Sequence, residues 1–203
     1  AGKTALFNAL TGARQKVGNY PGVTVERHAG RIALADGRPV ELVDLPGTYS
    51  LDPSSPDEQV TRDVVLGKQD GERLPDALIV VADASNIENH LRFVLQLRQL
   101  GRPMVVALNM IDMAARDGLT IDTEKLSAEL GVPVVSTVAV RKRGLVELRG
   151  ALAGALAGAR PAPPAAPDAD ITHFQRRARR VAKVAITDPP RGRAFPRPLR
   201  AAR

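Results

Sequence analysis

The sequence has no cysteine. That excludes disulfides and thiolate metal sites, and it suits the cytosol. No run of 18 or more apolar residues occurs, so no segment reads as a membrane-spanning helix. The chain opens on Ala1-Gly2-Lys3-Thr4 rather than on a charged start and an apolar stretch, so no secretory leader is expected in it. The three histidines, His28, His90 and His173, are too widely spaced for a metal-ligand pattern. No internal repeat is visible.

What is present suffices for one α/β domain of about 150 residues and a tail. The hydrophobic fraction of 44% is ordinary for a globular chain. The net charge of +7 is unevenly placed. From His173 to Arg203 there are ten basic residues and one acidic one; the rest carries 19 basic and 21 acidic. The globular part is therefore mildly acidic, unlike a uniformly basic nucleic-acid-binding fold.

Along the chain, Lys3 to Leu10 reads as a helix stopped at Gly12. Gln15 to Gly30, with Gly18, Asn19, Pro21 and Gly22, has the chemistry of a long loop. Arg31 to Ala35 and Val40 to Asp44 read as strands joined through Asp36-Gly37-Arg38, a hairpin signal. Leu45 to Pro53 is a second loop, and Ser55-Pro56 is a helix start. Buried strands are expected at Asp76 to Asp83 and Pro103 to Asn109, and a shorter strand at Pro133 to Thr137. Helices are expected at Ile87 to Leu100, Asp122 to Leu130 and Leu145 to Leu156. This alternation predicts a mainly parallel sheet with helices on both faces. Ala159 to Ala169 is a Pro/Ala linker, Ile171 to Ile186 a basic helix, and Thr187 onward a Pro/Arg-rich disordered tail.

Three short motifs carry chemistry. Ala1-Gly2-Lys3-Thr4 matches the last four positions of the phosphate loop G-x-x-x-x-G-K-[ST]. Unpaired amides at a helix start cradle phosphate oxygens; Lys3 would bridge the β- and γ-phosphates, and the Thr4 hydroxyl would ligate Mg²⁺. Taken alone, Gly-Lys-Thr is equally an ordinary helix N-terminus. Asp44-Leu45-Pro46-Gly47 ends a strand about 40 residues later. Its carboxylate can hold a water of the Mg²⁺ shell, and Gly47 lets its amide approach the γ-phosphate. Asn109-Met110-Ile111-Asp112 follows a buried strand and departs from the common N-K-x-D only at Met110. Asp112 would accept from the two donors on the guanine edge, and Asn109 would orient the loop. All three motifs fall at carboxyl ends of strands or at a helix start, where ligands bind in such sheets. Thr24, in the loop between, is the residue expected to reach Mg²⁺ and the γ-phosphate when that loop closes. Asp57 and Glu58 read as a favourable acidic first turn, with pairing to a helical partner as the alternative.

The runs VGNYPGVTVER, VDLPGTYSL and NMID closely resemble the cytosolic G domain of the bacterial ferrous iron transport protein B family. The resemblance covers roughly Ala1 to Leu156 and extends weakly into Asp170 to Ile186. It implies a Ras-like P-loop GTPase of the α/β class. Residues 1–158 would be the G domain and 159–169 the linker. Residues 170–203 would hold the start of a helical GDP-stabilising region and the basic tail. It also implies GTP and GDP as ligands, Lys3, Thr24 and Gly47 in catalysis, and Thr4, Thr24 and Asp44 at Mg²⁺. Val138-Ala139-Val140 would form the last guanine loop, with the Ala139 amide on the base oxygen. K⁺ is a further cofactor the family suggests, held by a phosphate-loop Asn before Ala1 and by carbonyls of Gly18 to Tyr20. The partner would be the transmembrane region of the same transporter at the cytoplasmic face of the inner membrane. Oligomer formation is left open, and a nucleic-acid partner is not expected.

Two departures bear on mechanism. Thr48 follows Gly47 where Ras-type GTPases have a water-orienting Gln, so hydrolysis is expected to be slow. A chain beginning at Ala1 also lacks the strand leading into the phosphate loop; it is expected to be unstable alone and to bind nucleotide poorly. Two other readings remain: a soluble ribosome- or RNA-associated GTPase, suggested by the basic tail, and a nucleotide-sensing module without significant turnover.

Overall fold

The computed structural model describes residues 2–12, 15–158 and 171–187. Ala1, the linker at 159–169 and the tail from residue 188 lie outside the described residues. In chain order the elements are α1 (Lys3–Thr11), β1 (Gln15–Asn19), β2 (Glu26–Ala33), β3 (Pro39–Asp44), α2 (Pro56–Val65), β4 (Leu78–Asp83), α3 (Ile87–Arg98) and β5 (Met104–Asn109). There follow α4 (Ile111–Arg116), β6 (Thr120–Ile121), α5 (Thr123–Leu130), β7 (Val134–Ser136), α6 (Leu145–Ala157), α7 (Ile171–Ala185) and β8 (Ile186–Thr187).

β4, β5 and β7 form a parallel trio in the order β4-β5-β7. β5 is buried at every position and has no charged residue, as a strand covered on both faces must be. Its alternation divides the interior. Met104, Val106 and Leu108 face a cluster built with α3, α5 and α7; Val105 and Ala107 face one built with α1 and α6. Helices thus cover both faces of this α/β fold.

β1, β2 and β3 form an antiparallel trio in the order β1-β2-β3. The β2–β3 hairpin is the one expected from Asp36-Gly37-Arg38. Gly37 has φ +84°, and Asp36 Oδ1 accepts from the Arg38 amide at 3.1 Å. Among the described strands, β3 pairs only with β2 and β4 only with β5.

The loop expected over Gln15 to Gly30 is corrected. Gln15–Asn19 pairs with Glu26–Gly30 across five positions, from Gln15 opposite Gly30 to Asn19 opposite Glu26. Only residues 20–25 turn, closed by the Tyr20 amide donating to the Val25 carbonyl at 2.9 Å. The ladder satisfies backbone groups on a strand whose side chains are mostly exposed, so no alternation of apolar residues betrays it. Buried Tyr20 and Val25 anchor the turn against Val60 and Val64 of α2.

α7 is a docked helix. Phe174, Ala178, Val181, Ala182 and Ala185 are buried in the cluster shared with α3 and α5. Two fully buried large side chains, Phe174 and Val181, contribute roughly 3–6 kcal/mol to that docking. β8 then pairs with β6 and holds the end of the helix in place.

Candidate functional site

α1 begins at Gly2, whose φ of +73° is in the left-handed region. The residues at its start reach two different strands. Lys3 Nζ forms an ion pair with Asp44 Oδ1 at the end of β3, and Thr4 Oγ1 donates to Asp44 Oδ2 at 3.4 Å. Gly2 packs against Asn109 at the end of β5: a Cβ added to it would stand 2.5 Å from Asn109 Nδ2. The start of α1 therefore ties the antiparallel trio to the parallel one. Its first amides are unpaired within the helix and point the positive end of the helix dipole at the gap between those strand ends.

In front of Lys3 lies an open cleft of about 460 Å³. Lys3, Thr4, Thr24, Asp44, Leu45, Pro46 and Gly47 line it together, which brings the phosphate-loop, first-loop and DLPG residues to one place. Thr24 is exposed at the turn between β1 and β2. The Asp44–Gly47 segment is held from behind by the Thr61 hydroxyl, which donates to the Pro46 carbonyl at 2.7 Å. Beyond it the Leu51 amide donates to Gln96 Oε1 of α3 at 3.3 Å.

The second group of residues lies at the ends of β5 and β7. Asn109 is 3% exposed, and its Oδ1 accepts from the Thr137 hydroxyl at 3.1 Å and the Ala139 amide at 3.0 Å. The Ala139 amide, expected on a base oxygen, is thus directed at Asn109 here. Met110 sits at φ +61°, and Ile111 starts α4 and packs into the interior. Asp112 Oδ2 lies 3.9 Å from an Arg141 guanidinium nitrogen. Val138 is buried, while Val140 is 82% exposed.

Sequence reasoning missed part of the cleft: Phe7, Asn8, Val25, Glu26, His28 and Asp57 also line it. One of these had a signal: Asn8 is one helical turn beyond Thr4. His28 had none, since it stands opposite Asp44 only through the β2–β3 register. Of the two acidic residues at the start of α2, Glu58 closes the cap. It accepts from the Ser54 amide and hydroxyl at 2.7 and 2.6 Å, which holds its carboxyl below the usual range, while Asp57 faces the cleft. His90 is buried under the Tyr49 ring at 5.2 Å, and burial lowers its pKa. Among the described residues no group of three or more His, Cys, Asp or Glu is placed to hold a metal by itself.

A family model described as ferrous iron transport protein B matches residues 1–152. The chain belongs to the ferrous iron transport protein B family. It is 50% identical over 156 residues to the Fe(2+) transporter FeoB of Salmonella typhimurium, covering 75% of this chain and 19% of that protein. It is 48% identical to the Escherichia coli FeoB over the same length. The chain thus spans about a fifth of the curated relatives it matches. Its fold is similar to the cytosolic domain of the T. maritima FeoB iron transporter in a GDP form: TM-score 0.80, 28% identity, covering 92% of this chain and 95% of that one. The GMPPNP form of that domain gives a TM-score of 0.76 at the same identity and coverage. The cytosolic domain of L. pneumophila FeoB gives 0.70 at 43% identity, covering 82% and 61%. The fold is that of the Ras-like P-loop GTPases. No helix among the described residues is long and apolar enough to cross a membrane.

Proposed function

We propose that in the intact protein this domain binds GTP and GDP at the start of α1, hydrolyses GTP slowly with Mg²⁺, and through that cycle regulates ferrous iron uptake by a membrane transporter. The observation that carries the reading is the double reach of α1: Lys3 and Thr4 on Asp44, Gly2 on Asn109. A nucleotide laid across that start would have its phosphates at Lys3 and its base near Asn109 and Asp112.

Lys3 leaves Asp44 for the β- and γ-phosphate oxygens when these enter the cleft. The amides of Lys3, Thr4 and their neighbours donate to the same oxygens. Oxygen donors suit Mg²⁺, and Thr4 Oγ1 and Asp44 Oδ2, 3.4 Å apart, would hold it, Asp44 through water. When bound, the ion neutralises charge on the β- and γ-oxygens. Thr24 would join them once the β1–β2 turn closes inward, and the Gly47 amide would contact the γ-phosphate.

Slow turnover belongs to this reading because position 48, where a water-orienting Gln would be sought, is not among the residues that line the cleft. The Thr48 hydroxyl donates to the Ser50 carbonyl at 2.7 Å and accepts from the Ser50 amide at 3.2 Å, so it does not orient a water. K⁺ stimulation belongs to the same proposal. The Tyr20 carbonyl, one of its expected ligands, accepts from the Val23 amide at 3.3 Å, so the turn must rearrange to offer it. On the base side, Asp112 must exchange Arg141 for the guanine edge, and the loop Val138–Val140 supplies the contact to the base oxygen. α7 would begin the helical GDP-stabilising region.

The test is selectivity. Competition of fluorescent GDP with unlabelled GDP and ADP should favour GDP by at least about 100-fold, since a buried hydrogen-bonding edge rejects the wrong base strongly. Equal displacement by ADP would sink the guanine reading. Phosphate release by the domain with its full phosphate loop, measured in K⁺ and in Na⁺, separates the K⁺ part, because equal rates would remove it while leaving guanine binding intact.

A further inference from the structure

α7 carries five basic residues and no acidic one. Its buried positions, Phe174, Ala178, Val181, Ala182 and Ala185, fall on one side. Arg176, Arg180 and Lys183 recur at i, i+4 and i+7 and are exposed, so they form a stripe on the opposite side. Arg179 beside the stripe is engaged with Glu88 of α3 at 3.3 Å. Arg176, Arg180 and Lys183 enter none of the ion pairs among the described residues.

We propose that this stripe docks the domain on an anionic phospholipid surface. The charge is segregated to favour one orientation: the segment from His173 carries ten basic residues against one acidic, while the rest is slightly acidic. Phe174 and Val181 are committed to the interior, so α7 does not turn its apolar side toward acyl chains. The contact is therefore coulombic and lies at the headgroups, where clustered Lys and Arg meet anionic lipid. Single-stranded RNA is the poorer fit. Its binding surfaces place aromatic rings beside the cations for bases to stack on, and the one Phe, Tyr or Trp of α7 is the buried Phe174. The curated relatives are Fe(2+) transporters of which this chain spans 19%, which makes a bilayer the anionic surface within reach.

The test is co-sedimentation of the full chain with vesicles of phosphatidylglycerol and phosphatidylcholine, or of phosphatidylcholine alone. Binding is expected only with phosphatidylglycerol. It should be lost between about 0.1 M and about 1 M salt, as the screening length falls from about 10 Å to about 3 Å. R176Q/R180Q/K183Q is expected to lower partitioning by roughly 100-fold, about five-fold for each charge. R176K/R180K, which keeps the charge, should bind like the parent. Replacing Arg191, Arg193, Arg197, Arg200 and Arg203 by Gln should leave most of the stripe's contribution. Circular dichroism should show unchanged helix in the Gln variant, Gln being a good helix former. Loss of binding only in the tail variant, undiminished binding by R176Q/R180Q/K183Q, or equal binding to phosphatidylcholine would each overturn the proposal. So would a poly-uridine RNA that binds the stripe more tightly than the vesicles do. GDP selectivity, read on the same preparations, is independent of every one of these results.

Discussion

Gly2 and Asn109 touch so closely that neither position tolerates change without the other responding. A Cβ on Gly2 would stand 2.5 Å from Asn109 Nδ2, and the backbone there has φ +73°. Gly2→Ala is expected to lose about 1–2 kcal/mol to the left-handed backbone alone, plus the displacement of Asn109. Asn109→Ala strands the buried Thr137 hydroxyl and Ala139 amide, at about 1–3 kcal/mol for each unmatched group. Because both act on one contact, denaturant unfolding of the double variant should cost less than the sum of the singles. Additive losses would mean the contact carries no energy.

Thr48 is the position where a water-orienting Gln would be sought, and its hydroxyl is spent within a turn on Ser50. Thr48→Gln is therefore expected to leave single-turnover phosphate release within about three-fold of the parent, far short of the 10²–10⁴ typical of a positioned acid–base group. Thr48→Ala should behave similarly, with a small stability loss from the broken turn. A large acceleration by Gln would show that the side chain at this position reaches the cleft after all.

What could be read in the sequence was whatever had a reason to be written in side chains. β5 is uniformly apolar because both its faces are covered, and Ser55-Pro56 starts α2 because the cap needs that hydroxyl. β1 had no such reason. Val17 is 63% exposed, and the strand exists through backbone bonds to β2 that no side chain advertises. The docking of α7 was written in Phe174, Ala178, Val181 and Ala185, but the interleaved arginines drew attention to the other face. In the site, Lys3, Asp44 and Asn109 were legible from motif spacing. The Gly2–Asn109 contact and the place of Glu26, His28 and Asp57 in the cleft depend on how separate elements meet.

Tyr20 gives the fold an alkaline limit. It is 1% exposed, its hydroxyl has no hydrogen-bond partner among the described residues, and burial pushes its pKa up to about 12 from 10. The folded state thus holds this proton more tightly than the unfolded state. The contribution is fully present below pH 10 and is lost as pH rises through 12, by up to about 1.4 kcal/mol per pH unit. Tyr20→Phe keeps the ring and removes the unpaired hydroxyl. It should be neutral or stabilising at pH 8 and should flatten the fall of the urea midpoint between pH 10 and 12. Tyr20→Ala should instead cost about 3–5 kcal/mol at any pH, like other large aromatic deletions.

The hairpin bearing Thr24 is latched from outside by Arg27. Its guanidinium pairs with Glu72 in the loop after α2, with an Nη2–Oε2 distance of 3.2 Å, and lies 3.7 Å from Glu41. The same loop braces the turn: a Cβ on Gly71 would stand 2.8 Å from Pro21 Cγ, and Gln69 Nε2 donates to the Pro21 carbonyl at 3.4 Å. Glu72→Gln removes the charge from a largely buried partner and leaves Arg27 only the exposed Glu41. The expected loss is about 1–3 kcal/mol, concentrated in the hairpin. Hydrogen exchange reads it directly. Amides of Gln15 to Glu26, including the Tyr20 amide bonded to Val25, should exchange faster in the variant, while those of β4 and β5 keep their protection. Uniform acceleration across both strand trios would assign Glu72 to global stability instead. Unchanged protection of the Tyr20 amide would mean that the Arg27–Glu72 pair does not restrain the segment that carries Thr24.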